Sequence, residues 1–166
     1  MLIQSKNQVN DIVKLVLTDK NELHNLVNLS LGNNHPISWR ATWALSHTVN
    51  KDQSIILPFV QQFIDRLNSP INNSHAASVL KILSLVDITN NYDNLGLLVD
   101  NCINYISNPE VRDYVKKISI DVLLKICILE PDLLHEVECV VSEALPHFKA
   151  KAIKQSCIKQ LKNKPK

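Results

Sequence analysis

Apolar residues recur at every third or fourth position along most of this chain, which is the spacing of one face of an α-helix. The clearest early example is a stripe of four aliphatic residues, Leu23, Leu26, Val27 and Leu31. Asp19 and Glu22 lie just before this stripe and are three residues apart. At this spacing two side chains can accept hydrogen bonds from the free N–H groups at the start of a helix. Gly32-Asn33-Asn34 follows the stripe and is typical of a helix end. The pattern therefore predicts a helix that begins after Asp19 and ends before Gly32.

The same two-part pattern, a one-sided apolar helix followed by a more apolar one, repeats along the chain. Asn108, Pro109 and Glu110 predict one helix start, because asparagine caps a helix, proline fits its first position and glutamate faces the positive end of the dipole. Pro58 lies inside an apolar segment, where it should start or kink a helix. The predicted elements are an N-terminal capping helix at 10–19 and four helix pairs at 20–50, 53–86, 92–129 and 131–162. Residues 117–129, in the second helix of the third pair, are apolar enough to be buried on several sides. The second helix of the fourth pair is predicted to begin at 147.

A basic residue lies near the start of the second helix in each pair. The steps between successive basic residues are 35, 37 and 37 residues, within the range of stacked helical repeats. The residues are Arg40, His75, Arg112 and Lys149. Two amphipathic helices cannot bury their apolar stripes alone, so neighbouring pairs must pack against each other. The sequence therefore predicts an all-α protein built from stacked helix pairs.

Three segments of the chain resemble HEAT repeats. Residues 55–67 are similar to the first helix of such a repeat, which often consists of aliphatic residues, a proline and further aliphatic residues. Residues 108–118 and 35–45 are similar to the turn into the second helix, where proline and arginine precede small apolar positions. The resemblance implies a single domain over 1–166 that forms a short right-handed α-solenoid of about four antiparallel helix pairs. It also implies a non-catalytic interaction or scaffold module that holds another protein or a peptide on a concave surface.

Composition narrows the class of protein further. Apolar residues make up 45% of the chain and charged residues 20%, which is ordinary for a soluble domain. Only two glycines are present, which argues against a sheet protein rich in hairpins. No stretch has the pattern of an export signal or a membrane span. We therefore expect a reduced, cytoplasmic protein that does not associate with membranes.

Two tryptophans mark the candidate binding site. Trp39, Trp43 and His47 are spaced by four and share one face of a predicted helix, and Arg40 is close enough to stack on Trp43. The opposite face already carries an apolar stripe for the core, Ile37, Ala41, Ala44 and Leu45. Trp39, Arg40, Trp43 and His47 are therefore the candidate partner-binding residues. The alternative is that both indoles fill the gap between adjacent second helices, as large aromatics at helical spacing usually do.

Charge is unevenly distributed, although the net charge is only +2. Residues 84–146 carry 4 basic and 11 acidic side chains, whereas residues 147–166 carry 7 basic and none acidic. The basic segment suggests an alternative function in nucleic-acid binding, resembling the HEAT-like alkylpurine DNA glycosylases. The other explanation is a solvated terminal helix, which the overall pI of 8.3 favours. The residues of this basic patch are Lys149, Lys151, Lys154, Lys159 and Lys162.

The sequence carries no recognisable catalytic motif. A glycine-rich phosphate loop, a GxSxG elbow and an HExxH helix are all missing. His135 and Cys139 have metal-ligand spacing, but no third or fourth ligand accompanies them. We interpret them as a partly exposed histidine and a buried cysteine, and we place the other three cysteines in the core. We therefore expect no enzymatic activity, no metal and no cofactor.

Overall fold

The computed structural model describes residues 6–70, 72–87 and 95–163. Within these ranges it contains nine α-helices, three short 3-10 helices and no strand, so the all-α prediction is confirmed. None of the described helices combines the length and the hydropathy needed to cross a bilayer. The α-helices are α1 Lys6–Thr18, α2 Lys20–Leu31, α3 Ile37–Val49, α4 Val60–Arg66, α5 Asn73–Leu85, α6 Leu95–Ser107, α7 Asp113–Ile126, α8 Leu134–Ala144 and α9 Lys151–Lys162.

The chain divides into two compact units, Met1–Asp87 and Ile88–Lys166. In the first unit α3 packs against α1, α2 and α5, and α4 packs against α5. In the second unit α6 packs against α7 and α8, and α9 packs against α7. The first two predicted helix pairs fall in the first unit and the last two in the second. The predicted start of the third pair at residue 92 lies outside the described residues, and the single domain over 1–166 stays a prediction.

The helix starts at α2 and α5 follow from local capping chemistry. Asp19 accepts the N–H of Asn21 at 2.8 Å, and Glu22 lies in the first turn of α2. Asn72 accepts the N–H of His75 at 3.0 Å and caps α5 in the same way. Both bonds satisfy an N–H group that has no partner within the helix. The predicted start of α2 is therefore confirmed.

Pro58 lies in a 3-10 helix, Gln53–Phe59, and α4 begins directly after it at Val60. Because proline has no N–H to donate, it breaks the regular α-helical bonding of the segment. A short 3-10 segment is a common way for a chain to enter an α-helix. The prediction that Pro58 starts or kinks a helix is confirmed.

The predicted start of the α7 helix at Pro109 is wrong by about one helical turn. The Asn108 side chain accepts the N–H of Glu110 at 2.9 Å, and its carbonyl accepts the N–H of Val111 at 3.2 Å. These bonds close a turn, and Arg112 then has an extended backbone before α7 begins at Asp113. Asparagine and proline favour turns as readily as helix starts, so the residue pattern alone did not separate the two.

Three other boundaries also differ from the predictions. The first helix begins at Lys6, whereas the sequence predicted residue 10. The last helix begins at Lys151 and not at 147, because a 3-10 helix, Leu145–His147, and the extended Phe148 precede it. The helix α7 ends at Ile126, so Ile128 lies beyond it and is 60% exposed, although it was predicted to be part of a buried helix.

The cysteines divide into three buried ones and an exposed one. Cys102, Cys127 and Cys157 are buried, as predicted. Burial raises the pKa of Cys102 to about 12 and that of Cys157 to about 11, which keeps both as unreactive thiols at neutral pH. Cys139 is exposed, so the prediction of a buried cysteine there is wrong. Its helix, α8, buries a different stripe, Val137, Val141 and Ala144.

Candidate functional site

The position of α3 in the first unit determines which of its side chains a partner can reach. Its buried side consists of small and aliphatic residues that let α2 and α5 approach closely, and all of these are at most 3% exposed. Thr42 and Thr48 also lie on this side, and their hydroxyls donate to the carbonyls of Ser38 and Ala44 one turn earlier. The buried apolar residues are Ala41, Ala44, Leu45 and Val49.

Trp39, Trp43 and His47 lie on a second side of α3 and are all partly exposed. The rings of Trp43 and His47 meet edge to face, with centroids 5.5 Å apart. Trp39 instead stacks on His35 at 6.4 Å, a residue that the sequence did not single out. We refer to Trp39, Trp43 and His47 as the aromatic side. The structure therefore brings two of the predicted residues into contact and extends their surface to His35.

Arg40, predicted to stack on Trp43, lies with Ile37 and Ala41 along a groove formed by α1, α2 and α3. Its Nη1 atom is buried and has no hydrogen-bond partner. A buried donor without an acceptor is costly, because the group has lost its water and gained nothing in return. The four predicted residues thus separate into the aromatic side and a groove that contains Arg40.

The groove encloses about 180 Å³ and is mainly apolar. Leu15 and Leu29 are each 49% exposed and Ile37 is 37% exposed, although Ile37 was predicted to join the core. Large aliphatic side chains that cluster in an open groove commonly mark an interaction site. The lining residues are Ile12, Leu15, Val16, Glu22, Asn25, Leu26, Leu29, Ile37, Arg40 and Ala41.

This groove was not predicted, although the sequence contains a signal for it. The helix α1 carries more aliphatic residues than one stripe requires. Val9, Val13 and Val16 follow helical spacing and are buried, whereas Leu15 and Leu17 fall outside that stripe and are exposed. An excess of apolar residues beyond the core stripe is the feature that predicts a second apolar surface.

A polar cluster holds the turn between α2 and α3 in place. The Arg66 guanidinium at the end of α4 donates to the Gly32 carbonyl at 3.2 Å and to the Asn33 side chain at 2.9 Å. His75 on α5 is fully buried, and its Nε2 donates to the Ser30 carbonyl at 3.0 Å. These bonds connect α4 and α5 to the α2–α3 turn, so they fix the two sides of α3 relative to the rest of the unit.

Burial lowers the pKa of His75, and the nearby positive charge of Arg66 and His35 lowers it further, while the bond to Ser30 opposes the shift. The carbonyl of Ser30 can only accept, so Nε2 carries the proton in the neutral ring. The other ring nitrogen, Nδ1, is buried and has no partner. Protonation would therefore place a charge and an unsatisfied donor in the core.

The lysines of the predicted basic patch lie on α9 and in the turn before it. Lys149, Lys151, Lys159 and Lys162 are exposed, and Lys154 is partly buried. Lysines that are exposed on a helix suit either solvation or contact with a polyanion, so their position does not distinguish between these roles. Nucleic-acid binding at this patch stays a prediction.

His135 and Cys139, which have metal-ligand spacing in the sequence, lie close together in the structure. The Nε2 of His135 lies 3.9 Å from the Sγ of Cys139, and both residues are exposed on α8. A structural zinc site needs four ligands. In the described part of the chain, no cluster of three or more histidine, cysteine, aspartate or glutamate side chains has the geometry to hold a metal ion.

A comparison with protein families identifies the family of this helical protein. A family model described as a HEAT repeat domain matches residues 3–164, which is nearly the whole chain. The chain belongs to the HEAT repeat domain family. The resemblance predicted from three segments is thereby confirmed, and the HEAT repeat family is one of helical solenoids. HEAT repeats commonly act as helical scaffolds that mediate protein interactions. Comparisons with curated proteins and with solved structures gave no match.

Proposed function

We propose that this HEAT repeat chain is a non-catalytic, cytoplasmic module that binds a protein partner in the groove of α1, α2 and α3. The observation that carries the proposal is the meeting of Leu15, Leu29 and Ile37, all well exposed, in one concavity. Exposed aliphatic area of this kind gains free energy when a partner removes it from water, by about 25 cal/mol per Å². The groove is therefore a better candidate for a partner site than a flat polar surface of the same unit.

The partner segment that suits this groove is a short amphipathic helix. A groove between helices accepts the apolar face of another helix, whose anchor residues repeat every three or four positions. Arg40 adds a chemical preference, because its partly exposed guanidinium lines the groove and would attract a carboxylate on the partner. We propose that the partner presents aliphatic or aromatic anchors with an acidic residue beside them.

The aromatic side of α3 is proposed as a second contact area. Tryptophan is enriched among the residues that dominate binding energy, and Trp39 and Trp43 are both partly exposed. The T-shaped contact of Trp43 with His47 restricts the indole before binding, so less rotamer entropy is lost on complex formation. This area lies on a different side of α3 from the groove, so the two contributions can be measured separately.

A matched pair of variants on α1 tests the groove. Leu15→Ser removes a lining residue, whereas Leu17→Ser removes a similarly exposed leucine of the same helix that does not line the groove. In a pull-down from the cells that make the protein, Leu15→Ser should capture at most about a tenth of the partner that wild type captures. Leu17→Ser should capture nearly the wild-type amount.

Trp43→Ala in the same assay measures the contribution of the aromatic side. Circular dichroism of each variant shows whether the helices remain folded, which separates lost binding from lost structure. Equal capture by Leu15→Ser and Leu17→Ser, with Trp43→Ala also at the wild-type level, would contradict the proposed use of α3.

A further inference from the structure

The second unit contains a pocket whose chemistry differs from that of the groove. It encloses about 460 Å³ between the start of α7 and the turn that leads into α9. Arg112, His147 and Lys149 contribute basic or hydrogen-donating side chains to its wall, and Glu110 and Asp113 contribute carboxylates. The other lining residues are Pro109, Val111, Tyr114, Ala150 and Ile153.

One of the two carboxylates is already engaged. The Oδ2 atom of Asp113 accepts the backbone N–H of Ala150 at 2.6 Å, which ties the start of α9 to the start of α7. This bond fixes the two walls of the pocket relative to each other. It also occupies one of the two carboxylate oxygens of Asp113, so that oxygen is less able to pair with the surrounding cations. Arg112, His147 and Lys149 are exposed at the surface and remain accessible to a ligand.

A buried lysine, Lys116, interacts electrostatically with two lining residues of this pocket, Asp113 and Lys149. Lys116 is only 3% exposed, and its Nζ lies 5.7 Å from the centre of the Phe148 ring. Burial lowers its pKa and repulsion from Lys149 lowers it further, while the attraction of Asp113 opposes the shift.

We propose that this pocket binds the phosphate group of a phosphorylated side chain on a protein partner. The inference rests on the proposed protein-binding function but uses the second unit and none of the α3 residues. Arg112 would hold the phosphate through two parallel N–H···O bonds, and Lys149 and His147 would contact its remaining oxygens. A phosphoserine side chain fits within a pocket of this volume.

The charge pattern of the unit favours a single phosphate over a nucleic acid. A nucleic-acid site needs a continuous basic stripe that follows several phosphates. Over residues 88–166 the chain has 11 basic and 10 acidic side chains, so the positive charge is local and not spread over the unit. Glu110 at the pocket wall would repel the neighbouring phosphates of a polyanion, whereas a single phosphoserine has no neighbouring phosphates.

The test is a titration of the full ¹⁵N-labelled chain with N-acetyl-phosphoserine amide at low salt. We expect saturable shifts of the backbone amides at 112–114 and 147–153, and none with the unphosphorylated serine amide. Arg112→Gln/Lys149→Gln should weaken the binding at least about tenfold, because each charge-assisted contact is strong. The control Lys159→Gln/Lys162→Gln removes the same charge from exposed positions of α9 and should change the affinity by less than about twofold.

Three results would overturn the inference. Equal weakening by the two double variants would mean that phosphate responds only to overall charge. Absence of saturable shifts would mean that the pocket has no phosphate site. Tighter binding of single-stranded oligothymidylate, with a salt dependence of several phosphates, would assign the surface to nucleic acid. Leu15→Ser should leave phosphoserine binding unchanged, so a failure here is distinguishable from a failure of the groove.

Discussion

Phe63→Ala is expected to lower the free energy of unfolding by about 3 to 5 kcal/mol, measured by urea denaturation at neutral pH. Phe63 lies in α4 and is fully buried. Its helix has seven residues and follows a 3-10 segment, so its own backbone bonds cannot keep it folded in water. Packing must hold α4 in place, and Phe63 is the largest side chain that does so. Loss of about 4 kcal/mol is a large part of the stability of a small domain.

The control for this variant is Gln62→Ala, which changes an exposed residue of the same helix. It should alter the free energy of unfolding by no more than about 0.5 kcal/mol. The two variants together separate the loss of core packing from any change in helix propensity. A cost below about 1 kcal/mol for Phe63→Ala would contradict the burial of α4 against the rest of the first unit.

His75→Ala is expected to lower the free energy of unfolding by about 2 to 3 kcal/mol at pH 7. It removes the hydrogen bond from Nε2 to the Ser30 carbonyl and leaves a cavity in the core. His75→Gln should cost less, since an amide nitrogen can donate to the same carbonyl. The comparison assigns the difference between the two variants to the hydrogen bond and the filled volume. Both free energies of unfolding are measured by urea denaturation.

The stability of the wild type should also depend on pH through His75. Its folded pKa lies below the ordinary value of about 6.5, so the unfolded state binds more protons in the interval between the two values. Stability should therefore fall as the pH drops below about 6.5, and the contribution is fully present above that value. His75→Gln lacks this titration, so its stability relative to wild type should improve in acid. Parallel pH profiles for the two proteins would show that His75 titrates alike when folded and unfolded.

Local chemistry accounts for what the sequence predicted well. The α2 start follows from Asp19, whose side chain accepts the N–H of a residue two positions away, and the buried stripe of α2 follows from its spacing. Such features involve only near neighbours in the chain, so they can be recognised without knowledge of the fold. The repeat period and the HEAT-like segments extend the same regularity over most of the chain, and the family match over 3–164 confirms the HEAT-like resemblance.

The predictions of side-chain position were wrong where contacts between helices distant in the sequence determine which side of a helix is buried. Ile37 has the spacing of a core residue, but it faces the groove because α1 and α2 leave space there. Cys139 is exposed because α8 buries another stripe of its surface. Arg40 lines the groove of α1, α2 and α3, which its spacing from Trp43 in the sequence did not indicate. Each of these positions depends on how neighbouring helices are arranged, and the periodicity of apolar residues within one helix does not specify that arrangement.

The four predicted binding residues illustrate the same limit. The sequence places Trp43 and His47 on one face by their spacing, and their rings are indeed in contact. It does not reveal that Trp39 stacks on His35, because the turn before α3 brings His35 back over the helix. The groove itself is built from three helices, so only the excess aliphatic residues of α1 indicated it in advance.

The most direct test of the proposed function is photo-crosslinking from a benzoyl-phenylalanine placed at position 29, at the groove, or at position 17, which is similarly exposed on α1 but does not line it. If the groove is the partner site, position 29 should yield a crosslinked complex in which the label contacts an amphipathic segment of the partner, and position 17 should yield none. Crosslinks from position 17 alone, or from neither position while the partner is still captured, would contradict binding in the groove.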